Sequence, residues 1–366
     1  MLVRSSPSSR SWQPEGIAPA PSERSDPIGA ASSPQERFPL HLRYLSSAAD
    51  VTRYPGETPL AEIRFGAEAA PAASGPRPTA NIAMAHPGAA TGVEMWTSRL
   101  PVQYGEYNRI QYATDGELLF GVISETSTIE SDDFEARVRR IYRDIFSLTE
   151  RQGCPHLLRM WNYIPGINRH YDGLENYQRF CRARAQAFQE RYGAFIFLLP
   201  SASGVGTGPG AFVVYFIASH RAGVHRENPR QVSAYSYPPQ YGRRSPSFAR
   251  ATLRRPDDGE CFFISGTASI VGHQSLHVGH VRAQLDETLR NIETLIESTA
   301  ADEQTRFRGL TDIDHLKVYL RCASDMDIAR ELIQRRIGAG ANALYLVGDI
   351  CRRELLVEVE AVIGCR

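Results

Sequence analysis

Apolar side chains recur at two spacings along this chain, and the change from one to the other predicts its elements. Phe134, Val138, Ile141, Ile145 and Leu148 step by four and three, as do Leu285, Leu289, Ile292 and Ile296, so each set forms one apolar face of a helix. Around them lie short runs rich in β-branched and aromatic residues, at 117–123, 156–163, 211–218, 260–266, 315–320, 343–347 and 355–363, which read as strands. Two more helices fit about 174–191 and about 325–337. From residue 104 onward the order strand, long helix, strand, helix, strand therefore occurs twice. That predicts an α+β fold of two tandem modules, 104–235 and 236–366, each a mixed sheet packed by helices.

Upstream the pattern fades. Residues 1–36 hold nine Ser and six Pro with few branched or aromatic side chains, which predicts a disordered extension, because such a segment cannot bury enough surface to offset the entropy of ordering. Residues 37–103 read as an N-terminal segment with one strand at 60–65 and a Pro/Ala/Gly-rich loop over about 67–92. Gly204, Gly206, Gly208 and Gly210 fall between the strand-like runs 195–199 and 211–218 and read as a flexible turn.

Composition narrows the function. The 366 residues carry 41 Lys+Arg against 41 Asp+Glu, so no summed field attracts nucleic acid or an anionic membrane. No window approaches 18 uninterrupted apolar residues and no apolar segment follows Met1–Ser6, which predicts a soluble, cytoplasmic protein. Lys317 is the sole lysine and lies in a strand-like run, which argues against pyridoxal-phosphate and P-loop chemistry. Six cysteines without a CxxC pair are too sparse for a disulfide scaffold and point to a reducing compartment.

Several groups carry candidate chemistry. In the last strand Leu355, Val357, Val359, Ala361 and Ile363 make one apolar face, and Glu358 and Glu360 project from the other. That pair is either a solvated face or, if enclosed, a carboxyl that keeps its proton and serves as a general acid. Gly266, Thr267 and Ala268 follow a strand with side chains small enough for a ligand to approach the backbone. The loop 234–250 is dense in Tyr and Arg, either packing between modules or walling a ring that bears carboxylates. His273, His277 and His280 have a metal-like spacing but flanking glycines suited to a loop, so no metal is expected there. No GxSxG nucleophile elbow is present.

Read together, the blocks "RMWNYIPGIN" (159–168), "YQRFCRARAQAF" (177–188), "YPPQYGRRSPSFARA" (237–251), "FFISGTASIVGHQSLH" (262–277) and "DICRRELLVEVEA" (349–361) resemble the chorismatase family, over roughly residues 100–364. Chorismatases are similar to two RidA/YjgF-like modules in tandem, which agrees with the repeat. The resemblance implies cleavage of chorismate to 3-hydroxybenzoate and pyruvate, some members forming 4-hydroxybenzoate besides, with no cofactor. It implies Glu358 as the catalytic acid and Cys351, seven positions earlier, as the residue typical of the benzoate-forming branch; a hydrolytic branch gives a dihydroxycyclohexadiene carboxylate instead. Arg159, Arg179 and Arg250 are the expected carboxylate binders, and Tyr163, Tyr177, Tyr215 and Tyr241 the expected ring walls or hydroxyl donors. A RidA-like imine deaminase or a non-catalytic binding module is the competing class. A monomer and a homotrimer both fit the sequence.

Overall fold

In the computed structural model the described residues are 39–45, 55–66, 75–87, 91–255, 259–338, 340 and 342–365; the disorder expected over 1–36 lies outside them. Four strands come first: β1 (Leu40–Leu45), β2 (Thr58–Gly66), β3 (Thr79–Ala83) and β4 (Thr91–Ser98). The first module follows as β5 (Gln103–Tyr107), β6 (Ile110–Thr114), β7 (Leu118–Glu125), α1 (Phe134–Arg151), β8 (His156–Pro165), α2 (Asn176–Tyr192), β11 (Ser201–Thr207) and β12 (Phe212–Ser219). A ribbon of β9 (His170–Tyr171) and β10 (Leu174–Glu175) precedes α2. The second module comprises β13 (Val224–Arg226), β14 (Ala251–Arg254), β15 (Cys261–Ala268), α3 (Val281–Glu303), β18 (His315–Leu320), α4 (Met326–Arg336), β19 (Asn342–Val347) and β20 (Val357–Ile363). A second ribbon, β16 (Ile270–Val271) with β17 (Gln274–Ser275), leads into α3.

The two large sheets have one topology. Their orders are β5-β6-β7-β12-β8-β11 and β13-β14-β15-β20-β18-β19, and in each the single parallel pair is the edge one, β8 with β11 and β18 with β19. The tandem repeat read from the sequence is thus present, with more strands in each sheet than were read, and the sheets divide between Ser219 and Val224 and not at 235/236.

Helices cover one face of each sheet. The predicted face of α1 is buried at Phe134, Val138, Ile141, Ile145 and Leu148 in a core shared with β8, α2 and β12. Leu285, Leu289, Ile292 and Ile296 of α3 do the same for the second sheet. The opposite faces of both sheets meet a third core that includes β1–β4. A strand enclosed on both faces reads as an unbroken apolar run, which is why β12 is "FVVYFIAS" and buried throughout.

Four expectations need correction. Residues 37–103 hold four strands, not one, in the order β1-β4-β2-β3; the stretch taken as a loop contains β3, whose Ala80 and Ile82 turn inward at strand period between polar neighbours. Gly204 and Gly206 lie inside β11 rather than in a turn. A Cβ on Gly206 would stand 2.6 Å from Asp349 Cβ, and its absence lets Gly206 N donate to Asp349 O at 2.7 Å, joining the modules. The run 195–199 contains a 3-10 turn, Ile196–Leu198, instead of a strand. Cys261 and Cys365 form a disulfide, a pairing across 104 residues that cysteine spacing does not disclose.

Candidate active site

A cavity of about 400 Å³ opens between the modules. Tyr177 and Gln178 reach it from α2, Gly266 and Ala268 from β15, and Glu358 from β20. Tyr237, Tyr241, Phe248 and Arg250 come from the segment before β14, and Cys351 and Arg352 from the segment after β19. A smaller hollow of about 50 Å³ shares Tyr177, Phe248, Gly266, Cys351 and Glu358 and adds Asn162, Arg184 and Ser203.

Glu358 and Glu360, two apart on one face of β20, are 4% and 3% exposed, so the solvated-face alternative does not apply. Their surroundings differ. Glu360 accepts from Arg159 Nη2 at 2.8 Å, Ser203 Oγ at 2.5 Å and Trp161 Nε1 at 2.7 Å, and pairs with Lys317 Nζ at 2.8 Å. Burial opposes its charge, but Lys317 and Arg159 outweigh that and hold it below the usual carboxyl range. Among the described residues Glu358 makes no hydrogen bond. Burial, then the Glu360 charge, raises it from 4.5 to about 8 against the pull of Arg159 and Arg250. At neutral pH one carboxyl is a proton donor and its neighbour an anion, the separation of roles that acid catalysis needs.

Gly266 makes room for the acid: a Cβ there would collide with Glu358 Oε1 and stand 2.9 Å from the carboxyl carbon. Burial pushes the Cys351 thiol up to about 12, so it acts as an apolar wall and not as a thiolate nucleophile. Arg352 stacks on Tyr241, 3.7 Å from the ring centroid, and its Nη1 is fixed by His273 O and Ser275 Oγ. Its Nη2 is buried without a partner among the described residues, as is Arg250 Nε, whose Nη2 donates to Val232 O and Tyr237 OH. Unpartnered guanidinium N–H groups beside a cavity suit a carboxylate ligand.

The structure therefore gathers Glu358, Cys351, Tyr177, Tyr241, Arg250, Gly266 and Ala268 at the cavity and places the other expected residues elsewhere. Arg159 is held by Glu360 and Ser203 under the Trp161 ring. Tyr163 and Tyr215 lie in the central core, bonded to Tyr319 and Glu94 respectively. Arg179 donates to the carbonyls of Ile129 and Ser131, tying α2 to the segment before α1. Thr267 is turned from the cavity and donates to Ser265 O at 2.9 Å. Arg352 and Tyr237 were not singled out in the sequence, although both stand in the blocks quoted above; the signal for Arg352 was its place directly after Cys351. His273 bonds Tyr241, His277 faces Glu287 and His280 caps α3. Among the described residues no three His, Cys, Asp or Glu side chains group closely enough to hold a metal ion, and no helix is long and apolar enough to cross a membrane.

A protonated carboxyl at a cavity that also holds two unpartnered guanidinium nitrogens, Arg250 Nε and Arg352 Nη2, is a site for acid chemistry on an anionic ligand. The family described as chorismatase FkbO/Hyg5-like, N-terminal, matches residues 94–218. A 3-hydroxybenzoate synthase of Streptomyces hygroscopicus is 39% identical over 296 residues, 78% of this chain and 85% of its own length. A chorismatase of the same organism is 40% identical over 276 residues, 74% of this chain and 79% of its own. A crystal structure of a chorismatase superposes with a TM-score of 0.82 at 33% identity, covering 88% of this chain and 98% of that one. The chain belongs to the chorismatase family.

Proposed function

We propose that the protein cleaves chorismate to 3-hydroxybenzoate and pyruvate, with Glu358 as the general acid. The observation that carries this is a buried carboxyl, raised to about 8 and without a hydrogen bond among the described residues, at the wall of the intermodule cavity. Relatives named 3-hydroxybenzoate synthase and chorismatase support the substrate.

Chorismate is a dianion with an enol ether. Arg250 Nε and Arg352 Nη2 meet its carboxylates, each such contact contributing about 1.5–3 kcal/mol once water is excluded. Glu358 gives its proton to the enol methylene carbon. The ring carbon–oxygen bond then breaks, its electron pair stays with the enolpyruvyl oxygen, and pyruvate leaves with a keto group. The neighbouring ring hydroxyl closes on the vacated carbon and loses its proton, giving an epoxide. Opening that epoxide and losing the ring proton yields the aromatic acid, and one proton returns to Glu358. Atoms balance without water or a cofactor: chorismate becomes hydroxybenzoate plus pyruvate. To Cys351, a neutral thiol lining the cavity, we assign the role of favouring internal closure over attack by water.

The test incubates the purified protein with chorismate as sole substrate and quantifies pyruvate enzymatically and ring products by chromatography. Equal amounts of pyruvate and 3-hydroxybenzoate are expected. Pyruvate with only the cyclohexadiene diol would assign the hydrolytic branch, pyruvate with 4-hydroxybenzoate as well a dual product, and imine turnover without pyruvate a deaminase.

A further inference from the structure

Glu360 has no place in the chemistry above, yet it commits four donors, two of them buried cations, to holding one charge. Glu94 of β4 and Glu360 of β20 share Lys317, whose Nζ lies 2.7 Å and 2.8 Å from them; with Arg159 this is a neutral cluster of two anions and two cations where three sheets meet. Such a cluster is a costly way to stabilise a core, since desolvating four charges offsets much of their attraction. Its position suggests another use. Residues two apart on one strand face lie ~7 Å from each other, which sets Glu360 beside Glu358 on the same face of β20.

Resting on the reading of Glu358 as the proton donor, we propose that Glu360 is a positioning residue for the reaction: an anion pinned by Arg159, Lys317, Trp161 and Ser203 whose field keeps the proton on Glu358 until substrate arrives. Other groups facing Glu358 are Arg159 from β8, Arg250 before β14, Tyr177 from α2 and Cys351 after β19. Burial keeps Tyr177 and Cys351 neutral, so among these immediate neighbours Glu360 alone is an anion. The remaining charged or titratable groups lining the two hollows are Arg184, Arg352, Arg353, His170, Glu175, Glu354, Tyr237, Tyr241 and Cys181. Glu360→Gln removes the adjacent anion and leaves the cluster with one net positive charge. Arg159→Met removes a cation while Glu360 keeps three of its partners.

The experiment measures kcat against pH for the wild type and both variants, and titrates the carboxylic C=O infrared band of Glu358, assigned by its loss in Glu358→Gln. In Glu360→Gln the alkaline limb and the band midpoint move together to lower pH by roughly one to two units, the effect of a charge at that separation in a partly shielded interior. In Arg159→Met both move to higher pH. Midpoints unmoved in both variants, or moved in the same direction, overturn the proposal. If circular dichroism finds Glu360→Gln unfolded, Arg159→Met decides by its sign alone. Absence of pyruvate from chorismate with the wild type would sink the proposed reaction, while the infrared midpoints would still report whether Glu360 governs the proton on Glu358.

Discussion

Glu358→Gln should make the protein more stable as it makes it inactive, and the gain should depend on pH. A carboxyl whose value rises from 4.5 unfolded to about 8 folded holds its proton in the native state while the unfolded chain releases it. The sign follows from linkage. Stability is undiminished below the unfolded value, falls by about 1.4 kcal/mol per pH unit above it, and levels off past the folded value. The wild type thus loses about 3 kcal/mol by pH 7 and about 5 kcal/mol beyond pH 8 on account of this one group. Gln cannot ionise, so the variant escapes that loss, and every other titrating group cancels in the difference. Urea unfolding of both proteins between about pH 4.5 and pH 8.5 measures it. The variant's advantage should climb across this range with the slope of one proton and then flatten. A constant difference would mean that Glu358 titrates alike in both states, and the acid proposed for catalysis would not exist.

Other changes probe the rest of the site. Glu358→Gln should lower turnover of chorismate by at least about two orders of magnitude, the scale of general acid catalysis, and near-wild-type rates in a stopped assay would refute the assignment. Cys351→Ala should preserve pyruvate release while shifting ring product from benzoate toward the diol, as read by chromatography, because the added space admits water beside the ring. Arg352→Met should raise KM at least about tenfold with less effect on kcat, since one carboxylate contact is lost in ground and transition states alike. Cys365→Ser should cost about 2–5 kcal/mol in urea unfolding by freeing a long loop, with activity retained under native conditions.

What could be read from the chain were features carried by neighbouring residues. The helical steps of α1 and α3 and the two-residue alternation of β20 are local, and both survive in the structure. Partnership across hundreds of positions is not local: Lys317 meets Glu94 from 223 residues away, and nothing near either residue announces the other. The same limit explains the misplaced site residues. The block at 159–168 marks β8, but Arg159 and Trp161 alternate onto the face opposite α1 and α2, where they hold Glu360, and Tyr163 goes with them into the core. Whether that face lined a cavity or lay beneath one depended on the N-terminal sheet, three of whose strands were hidden in short, weakly apolar segments. Gly204 and Gly206 read as a turn because strand propensity disfavours glycine, whereas the space they leave is taken by Tyr177, Ile167 and Asp349.

The duplication itself explains why the acid occurs once. Registers align the modules: Tyr163 and Tyr319 occupy the same place on β8 and β18, opposite Val213 of β12 and Glu358 of β20. One step along, Trp161 faces Tyr215 and Lys317 faces Glu360. Where the second module carries two carboxylates the first therefore carries Val213 and Tyr215, which pack into the central core, the Tyr215 hydroxyl donating to Glu94 and accepting from Lys317. A single sheet repeated without divergence would bring two buried carboxyl pairs toward that core, with cations for one pair at most. With the copies unlike, the first contributes Arg159, Trp161 and Ser203 to fix the anion, and the second supplies the anion together with the acid it restrains. The proposed proton donor is thus a property of the paired modules: Glu358 stands on one, while the hydrogen bonds that hold its partner Glu360 as the anion come largely from the other.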